Sequence, residues 1–214
     1  MLRRAGLSDV DDSPLAKALY SSDASLYRVL PKVVVRPQHV DELDAVVEVS
    51  RELRVPVTMR GAGTSIAGNA IGPGIVVDTS RHLNRVVAID GDARTAIVEP
   101  GVVHAALQRR LAGTGLRFGP DPSTHTRCTI GGMIGNNACG PRALGYGRTS
   151  DNVVALETTP LPDLAPLVDA ALGLIRTEFG RFSRQVSGYA LEHLLPENDR
   201  SVDRGRATTW GTTR

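Results

Sequence analysis

Two glycine-rich stretches contain the residues best suited to hold a ligand. The first, residues 60–69, follows an apolar run and places three glycines around Thr64 and Ser65. The second, residues 131–140, lies further along the chain. Glycine lets the main chain approach a ligand closely, and successive amides in such a loop can converge on an anion. Because neither stretch has an activated nucleophile nearby, we expect a large phosphate-bearing cofactor to supply the chemistry. We expect the main-chain amides flanking Thr64 and Met133 to lie close together and to converge on this one elongated ligand.

The common phosphate-binding motifs do not fit the first stretch. Gly63 and Gly68 have the glycine spacing of G-x-x-x-x-G-K-[ST], but Asn69 and Ala70 stand where Lys and Ser or Thr belong. The dinucleotide motif G-x-G-x-x-G requires glycine where Ile66 stands. A different phosphate cradle remains, and a tight structural turn is the alternative.

The second stretch indicates a flat ligand. Each glycine loses more conformational freedom on folding than another residue would, so a run of them is unfavourable without a reason. A bulky planar group lying against the backbone would be such a reason. Asn136 and Asn137 could donate and accept hydrogen bonds at the edge of a heterocycle. A turn-rich loop without a ligand is the alternative.

Composition excludes several classes of protein. The 214 residues are 41% hydrophobic and 22% charged, as in an ordinary globular protein. A net charge of +2 gives no general attraction to nucleic acid or anionic membranes, and 4% aromatic residues are few for base stacking. No apolar run approaches the length of a membrane span. We predict a cytoplasmic protein and leave peripheral membrane association open.

Cysteine and histidine give no metal site. Cys128 and Cys139 are too few for a disulfide framework or a four-ligand cluster, and we expect them to be small buried groups. His104 and His125 have no motif partner and are predicted to be structural. No metal ion is therefore expected.

The first half of the chain has the order of a parallel α/β unit. Apolar runs predict strands at residues 33–37, 55–59 and 75–78. Between the first two, apolar residues from Val40 to Leu53 recur at helical spacing. A crossover helix between neighbouring strands implies parallel pairing.

The pattern changes after Asn84. Two strands are predicted at residues 85–89 and 95–99, joined by a turn, followed by a helix over residues 102–111. Residues 118–123 must be irregular because they contain two prolines. Further along, we predict a strand at 151–156, a helix from Leu164 to near Gly180, and a disordered tail at 199–214.

These motifs together resemble a known family over roughly residues 20–198. The resemblance rests on residues 34–37, 57–65, 68, 98–101, 120–123, 131–140, 146–147, 149–154 and 187–189. It is to the flavin-binding domain of the vanillyl-alcohol-oxidase type, also called the FAD-linked oxidase or PCMH-type domain. Within that family the chain is most similar to bacterial FAD-linked D-2-hydroxy-acid dehydrogenases, which act on D-lactate or glycolate.

The resemblance implies an α+β fold with a small parallel α/β lobe followed by an antiparallel sheet lobe. By position, residues 1–90 would form the lobe with the pyrophosphate loop, and 91–198 an incomplete second lobe. Residues 199–214 would be an aberrant tail.

The resemblance also implies FAD as the cofactor and assigns residues to it. The pyrophosphate loop would comprise Arg60, Gly61, Ala62, Gly63, Thr64, Ser65 and Gly68. The flavin side would comprise Pro120, Asp121, Ser123, Thr129, Gly131, Gly132, Gly135, Asn136 and Gly140, and the adenine side a strand with Val153 and Val154. Some relatives attach flavin through a histidine in the first loop. Thr64 has that place here, so non-covalent binding is expected.

Three departures from the family affect the expected function. Residues 158–162 run almost directly into the next helix, which resembles a deletion, and an Arg/Thr-rich tail follows residue 198. The substrate-binding cap of the family is not recognisable. We therefore expect the FAD-binding portion of a flavin-dependent oxidoreductase for D-2-hydroxy acids, without turnover by itself.

In intact relatives the partners would be a small 2-hydroxy acid and an electron acceptor. The catalytic residues are unassigned. One alternative is a non-catalytic truncated remnant. Another is one chain of a split flavoenzyme, with a partner chain supplying the cap. The same flavin domain also occurs in UDP-N-acetylenolpyruvylglucosamine reductase, which carries out different chemistry.

Overall fold

The computed structural model describes residues 1–158, 165–179 and 191–195. The predicted disordered tail at 199–214 and the predicted helix end near Gly180 lie outside these residues and stay predictions. Residues 187–189, which contribute to the family resemblance, also lie outside them. Within the described part of the chain, no helix combines the length and the apolar character needed to cross a membrane.

A four-stranded sheet forms the first layer. Its strands are β1 (Val10–Asp11), β2 (Val33–Val35), β3 (Val57–Arg60) and β4 (Ile75–Asp78), in the order β1-β2-β4-β3. Strands β2, β4 and β3 are parallel, and β1 pairs antiparallel with β2 at the edge. Every residue of β4 is buried, as a central parallel strand requires. The three predicted strands of this lobe are confirmed.

The crossover between β2 and β3 is helix α2 (Asp41–Leu53). Three acidic residues in its first turn face the positive end of the helix dipole. Val46 and Val49 are buried against a cluster that includes Val35 and Val77 of the sheet. Helix α2 ends at Arg54, whose φ of 51° is left-handed. The predicted helix and its apolar face are confirmed.

The second sheet is an antiparallel hairpin of β5 (Val86–Asp90) and β6 (Thr95–Val98). Asp90 Oδ1 accepts hydrogen bonds from the amides of Asp92 at 3.0 Å and Ala93 at 2.8 Å, which fixes the turn. A parallel lobe followed by an antiparallel one confirms the predicted fold class. The boundary predicted at residue 90 falls at the last residue of β5, inside the hairpin, and stays a prediction.

Three helices follow the hairpin: α3 (His104–Leu111), α4 (Ile130–Gly135) and α5 (Ala143–Tyr146). Leu107 and Leu111 of α3 pack with Ile130 and Met133 of α4 in a second core. Cys128 is buried in this core, as predicted, whereas Cys139 is only partly buried. Residues 118–123 contain no helix or strand, also as predicted.

The strand predicted at residues 151–156 is wrong. Residues Thr149–Asn152 form a short 3-10 helix instead, and the described residues after it pair with no strand. Local side-chain bonds explain the difference. Thr149 Oγ1 donates to Ala138 O at 2.7 Å, and Asp151 Oδ2 accepts from the Arg148 amide at 2.8 Å. Such bonds compete with the pairing of an extended strand.

The single amphipathic helix predicted from Leu164 is two short helices in the described residues. They are α6 (Ala165–Ala170) and α7 (Leu172–Glu178), separated at Ala171. Val168 and Ile175 nevertheless form a buried cluster with Leu195 of the segment that follows. The apolar spacing therefore predicted which residues are buried but not the break.

Arg54 offers a test of the end of α2. Replacing it with glycine should stabilise the fold by about 0.5–1 kcal/mol, because glycine adopts positive φ without steric penalty. The matched change Arg51→Gly removes the same charge from within the helix and should destabilise the fold by about 1 kcal/mol. Thermal unfolding monitored by circular dichroism measures both. An equal loss of Tm in the two variants would contradict the assigned helix end.

Candidate cofactor-binding site

The first glycine-rich loop leaves the sheet at the carboxyl end of β3, where ligands bind in open α/β sheets. Gly63 and Gly68 have φ values of 65° and 80°, so both use the conformational freedom of glycine. Gly61 does not have positive φ. It must be small for a different reason, namely its contact with the second stretch.

Polar contacts within the chain fix the shape of this loop. Ser65 Oγ accepts hydrogen bonds from the amides of Ala67 and Asn69, both at 3.2 Å. From the segment after α1 (Pro14–Leu19), the Ala24 amide donates to Gly63 O at 3.1 Å. Asp23 Oδ2 accepts from the Ala70 amide at 3.3 Å. The loop is therefore held in shape by the protein itself.

The main-chain amides of residues 62–66 are not used in holding that shape. Among the described residues, no atom accepts a hydrogen bond from any of these five consecutive amides. Residues 62–65 are half-buried and Ile66 is exposed, so their amides are open to a ligand. A row of amides without a partner at the end of a strand has the donor pattern of an anion-binding nest.

Arg60 lies under the loop instead of projecting from it. Its Nη1 donates to Ser22 O and Ala70 O, each at 3.0 Å, and its guanidinium lies 5.1 Å from the centre of the Tyr20 ring. Tyr20 in turn donates to Asp78 Oδ2 at 2.6 Å. Burial, helped by Asp78, raises the pKa of Tyr20, so the phenol stays protonated. Arg60 thus braces the loop and adds positive charge beneath it.

The second glycine-rich stretch is helical where a loop was expected. Thr129 caps α4 and is almost fully buried, and its Oγ1 accepts from the Gly132 amide at 3.2 Å. The Gly131 amide donates to Pro100 O at 2.8 Å, and the Met133 amide to Thr129 O at 2.9 Å. These amides are already paired. The expectation that donors around Met133 would point at the ligand, like those around Thr64, is therefore corrected.

What α4 offers is a surface with few side-chain atoms. Gly132, Gly135 and Asn136 are exposed and lie on one face, at the spacing of neighbours along a helix. A Cβ atom added to Gly135 would meet nothing within 4 Å. Packing within the described residues does not explain this glycine, but a planar ligand against the same face would.

The two glycine-rich stretches touch each other. A Cβ atom on Gly61 would overlap Thr129 Oγ1, the atom that caps α4. Gly61 therefore lies against Thr129, two residues before the second stretch. The row of unpaired amides and the exposed glycine face therefore belong to one region of the molecule.

The segment from Pro120 to Ser123 joins the same lobe. Pro120 is buried and Ser123 is exposed. Gly140 packs so closely on the main chain of Asp121 that a Cβ atom would not fit. Asp121 Oδ2 lies 3.3 Å from Arg142 Nε, and its Oδ1 is buried without a partner among the described residues. Asp121 and Gly140 are thus brought together.

Val153 and Val154 follow the 3-10 helix that packs against α4. They do not lie in a strand, and Val154 is 54% exposed. Their predicted contact with adenine stays a prediction.

The sequence analysis assigned no role to the residues that support the two glycine-rich stretches from other parts of the chain. Tyr20 and Asp23 brace the first loop from a distant part of the chain, and no local pattern identifies them. Pro100 and Gly101 form the turn behind α4, where a Cβ on Gly101 would overlap the carbonyl oxygens of Thr79 and Leu83. A Pro-Gly pair directly after a strand was the available signal.

Comparison with known proteins identifies relatives over most of the chain. The chain is 35% identical to glycolate oxidase subunit GlcD of Bacillus subtilis (strain 168), covering 91% of this chain and 40% of that protein. It is 33% identical to D-2-hydroxyglutarate dehydrogenase of Escherichia coli (strain K12), covering 88% of this chain and 22% of that one. It is 38% identical to D-lactate dehydrogenase of Archaeoglobus fulgidus, covering 76% of this chain and 34% of that protein. The chain spans well under half the length of each.

Solved structures support the same fold. Alkyldihydroxyacetonephosphate synthase matches with a TM-score of 0.63 and 23% identity, over 71% of this chain and 30% of that one. The 6-hydroxy-D-nicotine oxidase of Arthrobacter nicotinovorans matches with a TM-score of 0.62 and 22% identity, over 71% of this chain and 33% of that one. At these identities the likeness concerns the fold alone.

A family model described as "FAD binding domain" matches residues 31–163. This range contains β2, β3 and β4, the loop with unpaired amides, and the exposed glycine face of α4. The match covers more than half of the chain and includes both stretches that touch at Gly61 and Thr129. The chain therefore belongs to the FAD binding domain family.

Proposed function

We propose that this chain binds FAD non-covalently across the contact between Gly61 and Thr129. The observation that supports this most directly is the row of five unpaired amides, at residues 62–66, beside the exposed glycine face of α4. A dinucleotide needs both an anion site and a flat surface. This region offers both.

The pyrophosphate would lie on the amides of residues 62–66. Arg60 beneath the loop adds a positive charge, and Thr64 adds a hydroxyl group that can donate. Gly61, Gly63 and Gly68 give the loop its shape and let the main chain approach the phosphates. Ser65 keeps the amides in position through its own bonds to the loop.

The isoalloxazine would lie against Gly132 and Gly135, with the side-chain amide of Asn136 at its edge. Bound FAD supplies the hydride acceptor, and the protein supplies position and hydrogen bonds. The other residues assigned to the flavin or adenine side in the same proposal are Pro120, Asp121, Ser123, Thr129, Gly131, Gly140, Val153 and Val154. Of these, Gly131 and Gly140 allow close packing within the chain, and Thr129 caps α4 beside Gly61.

For the reaction, we propose oxidation of a D-2-hydroxy acid such as D-lactate or glycolate by the complete flavoenzyme. The relatives named above, a glycolate oxidase subunit and dehydrogenases of D-2-hydroxyglutarate and D-lactate, support this class of substrate. A second chain that completes the site, or a non-catalytic remnant, remains the alternative. The cytoplasm stays our predicted location.

Gly135 gives the sharpest test of the flavin position. Gly135→Ala should keep or raise the melting temperature of the ligand-free protein, because its Cβ meets no neighbour and alanine favours a helix by about 1 kcal/mol. The same methyl group would intrude on a ring packed against this face. We expect the Kd for FAD, measured by fluorescence quenching, to rise roughly tenfold or more.

The matched control is Gly173→Ala in α7, another helical glycine whose Cβ would meet nothing within 4 Å. It should gain helix stability in the same way and leave FAD affinity unchanged. If Gly135→Ala binds FAD as well as the wild type does, the ring does not lie on this face of α4.

Retained flavin and turnover are separate predictions for the purified chain. We expect FAD to co-purify, and acid precipitation to release it into the supernatant, because Thr64 offers no histidine for attachment. Without a second chain, D-lactate, glycolate and D-2-hydroxyglutarate should not reduce an artificial dye. Rapid dye reduction by this chain alone would show that no partner is needed. Flavin that remains in the acid pellet would show covalent attachment.

A further inference from the structure

Hydrogen bonds from helix α3 hold the segment 118–128, which leads into the candidate flavin surface. At its amino end, the His104 amide donates to Cys128 O at 2.9 Å and the Ala105 amide to His125 O at 3.0 Å. One turn later, Gln108 bonds to the main chain of Phe118. Residues 118 and 128 are therefore both held by α3, and Thr129 follows directly.

The orientation of the Gln108 amide is fixed by Phe118. Gln108 Nε2 donates to Phe118 O at 2.7 Å, and the Phe118 amide donates to Gln108 Oε1 at 3.2 Å. Reversing the amide would break both bonds. The second hydrogen of Nε2 is then directed at His104 Nε2, which lies 3.2 Å away.

That geometry sets the tautomer of His104. Since Gln108 donates to its Nε2, this nitrogen accepts, and the ring proton must lie on Nδ1. His104 is only 2% exposed. Its Nδ1 is buried, and no described atom accepts a hydrogen bond from it. The main chain of Pro120 lies near the ring.

His104 therefore lies on α3 beside the segment that this helix holds. Asp121, next in the chain to Pro120, has the second unpaired buried atom here, Oδ1. The charged and titratable groups that face the ring are Asp121, Arg117 and His125, whose ring lies edge-on at 6.0 Å. One donor, His104 Nδ1, and one acceptor, Asp121 Oδ1, are thus both buried without a partner among the described residues, and Asp121 is assigned to the flavin side.

We propose that neutral His104, with its proton on Nδ1, is a positioning residue that holds segment 118–129 in the shape needed to bind the cofactor. This proposal rests on the FAD site described above. A second proton on the ring would place an N–H group at Nε2 opposite the N–H of Gln108. The two donors would repel each other, and the hydrogen bond from Gln108 to Phe118 or to His104 would be lost.

The direction of the pH effect follows from burial. Burial lowers the pKa of His104 below its ordinary 6.5, an effect that the Pro120 main chain partly opposes. The unfolded chain therefore takes up the proton at higher pH than the folded chain does. The stability that neutral His104 contributes is complete above about pH 6.5 and is lost as the pH falls below that value.

The tautomer can be measured without FAD. Long-range proton–nitrogen correlation spectra of the ligand-free protein at pH 7.5 should show His104 neutral, with its proton on Nδ1. A proton on Nε2, or a doubly protonated ring at this pH, would overturn the proposal whether or not the protein binds FAD.

The functional test is the Kd for FAD between pH 8 and pH 5 in the wild type, His104→Asn and His125→Asn. The asparagine amide nitrogen stands close to the place of Nδ1 but does not titrate. We expect the wild-type Kd to rise several-fold as the pH falls, and the His104→Asn value to stay nearly constant. His125→Asn should retain the rise in Kd as the pH falls, because its exposed ring is not tied to Gln108, but with a midpoint moved to higher pH, because His125 helps to lower the pKa of His104.

A further variant tests the proposal even if His104→Asn does not fold. In Gln108→Glu the carboxylate can accept from a protonated Nε2 of His104 but cannot donate to Phe118 O, so FAD affinity should be reduced at every pH in this range and should no longer fall as the pH is lowered. Wild-type binding whose pH dependence is unchanged in His104→Asn and Gln108→Glu would overturn this proposal alone. A wild type that binds no FAD at any pH would overturn the cofactor proposal together with it.

Discussion

The site depends on one steric constraint, the absence of a side chain at Gly61. Thr129 Oγ1 occupies the space that a Cβ atom would need, and the same oxygen caps α4 by accepting from Gly132. The carboxyl end of β3 and the amino end of α4 can therefore come into contact. That contact places the loop after β3 beside α4.

The two stretches contribute different things to this region. The loop after β3 provides hydrogen-bond donors, because its amides at 62–66 are unpaired while Ser65 and Arg60 hold its shape. Helix α4 provides a surface, because its amides are already paired and its glycines leave the face bare. A phosphate needs the first and a flat heterocycle needs the second. This division agrees with membership of the FAD binding domain family.

The sequence predicted the parts whose signals are local or periodic. Strand β4, at Ile75–Asp78, and helix α2 follow directly from their apolar patterns. The helix at α4 could not be read from glycines, which disfavour helices; it forms because Thr129 caps it and Pro100 pairs with it. The strand expected at 151–156 failed because Thr149 and Asp151 bond to nearby backbone. The braces from Tyr20 and Asp23 join residues distant in sequence, which no local pattern reveals.

The bonds of Ser65 to the amides of Ala67 and Asn69 also bear on the balance between folded and unfolded protein. A loop ordered in advance transfers its entropy loss from ligand association to folding, so the ligand meets a rigid receptor. By mass action, a ligand that binds only the folded form adds about 2.7 kcal/mol of stability at a hundred times its Kd. The abundance of this protein in a cell would then follow the supply of its ligand.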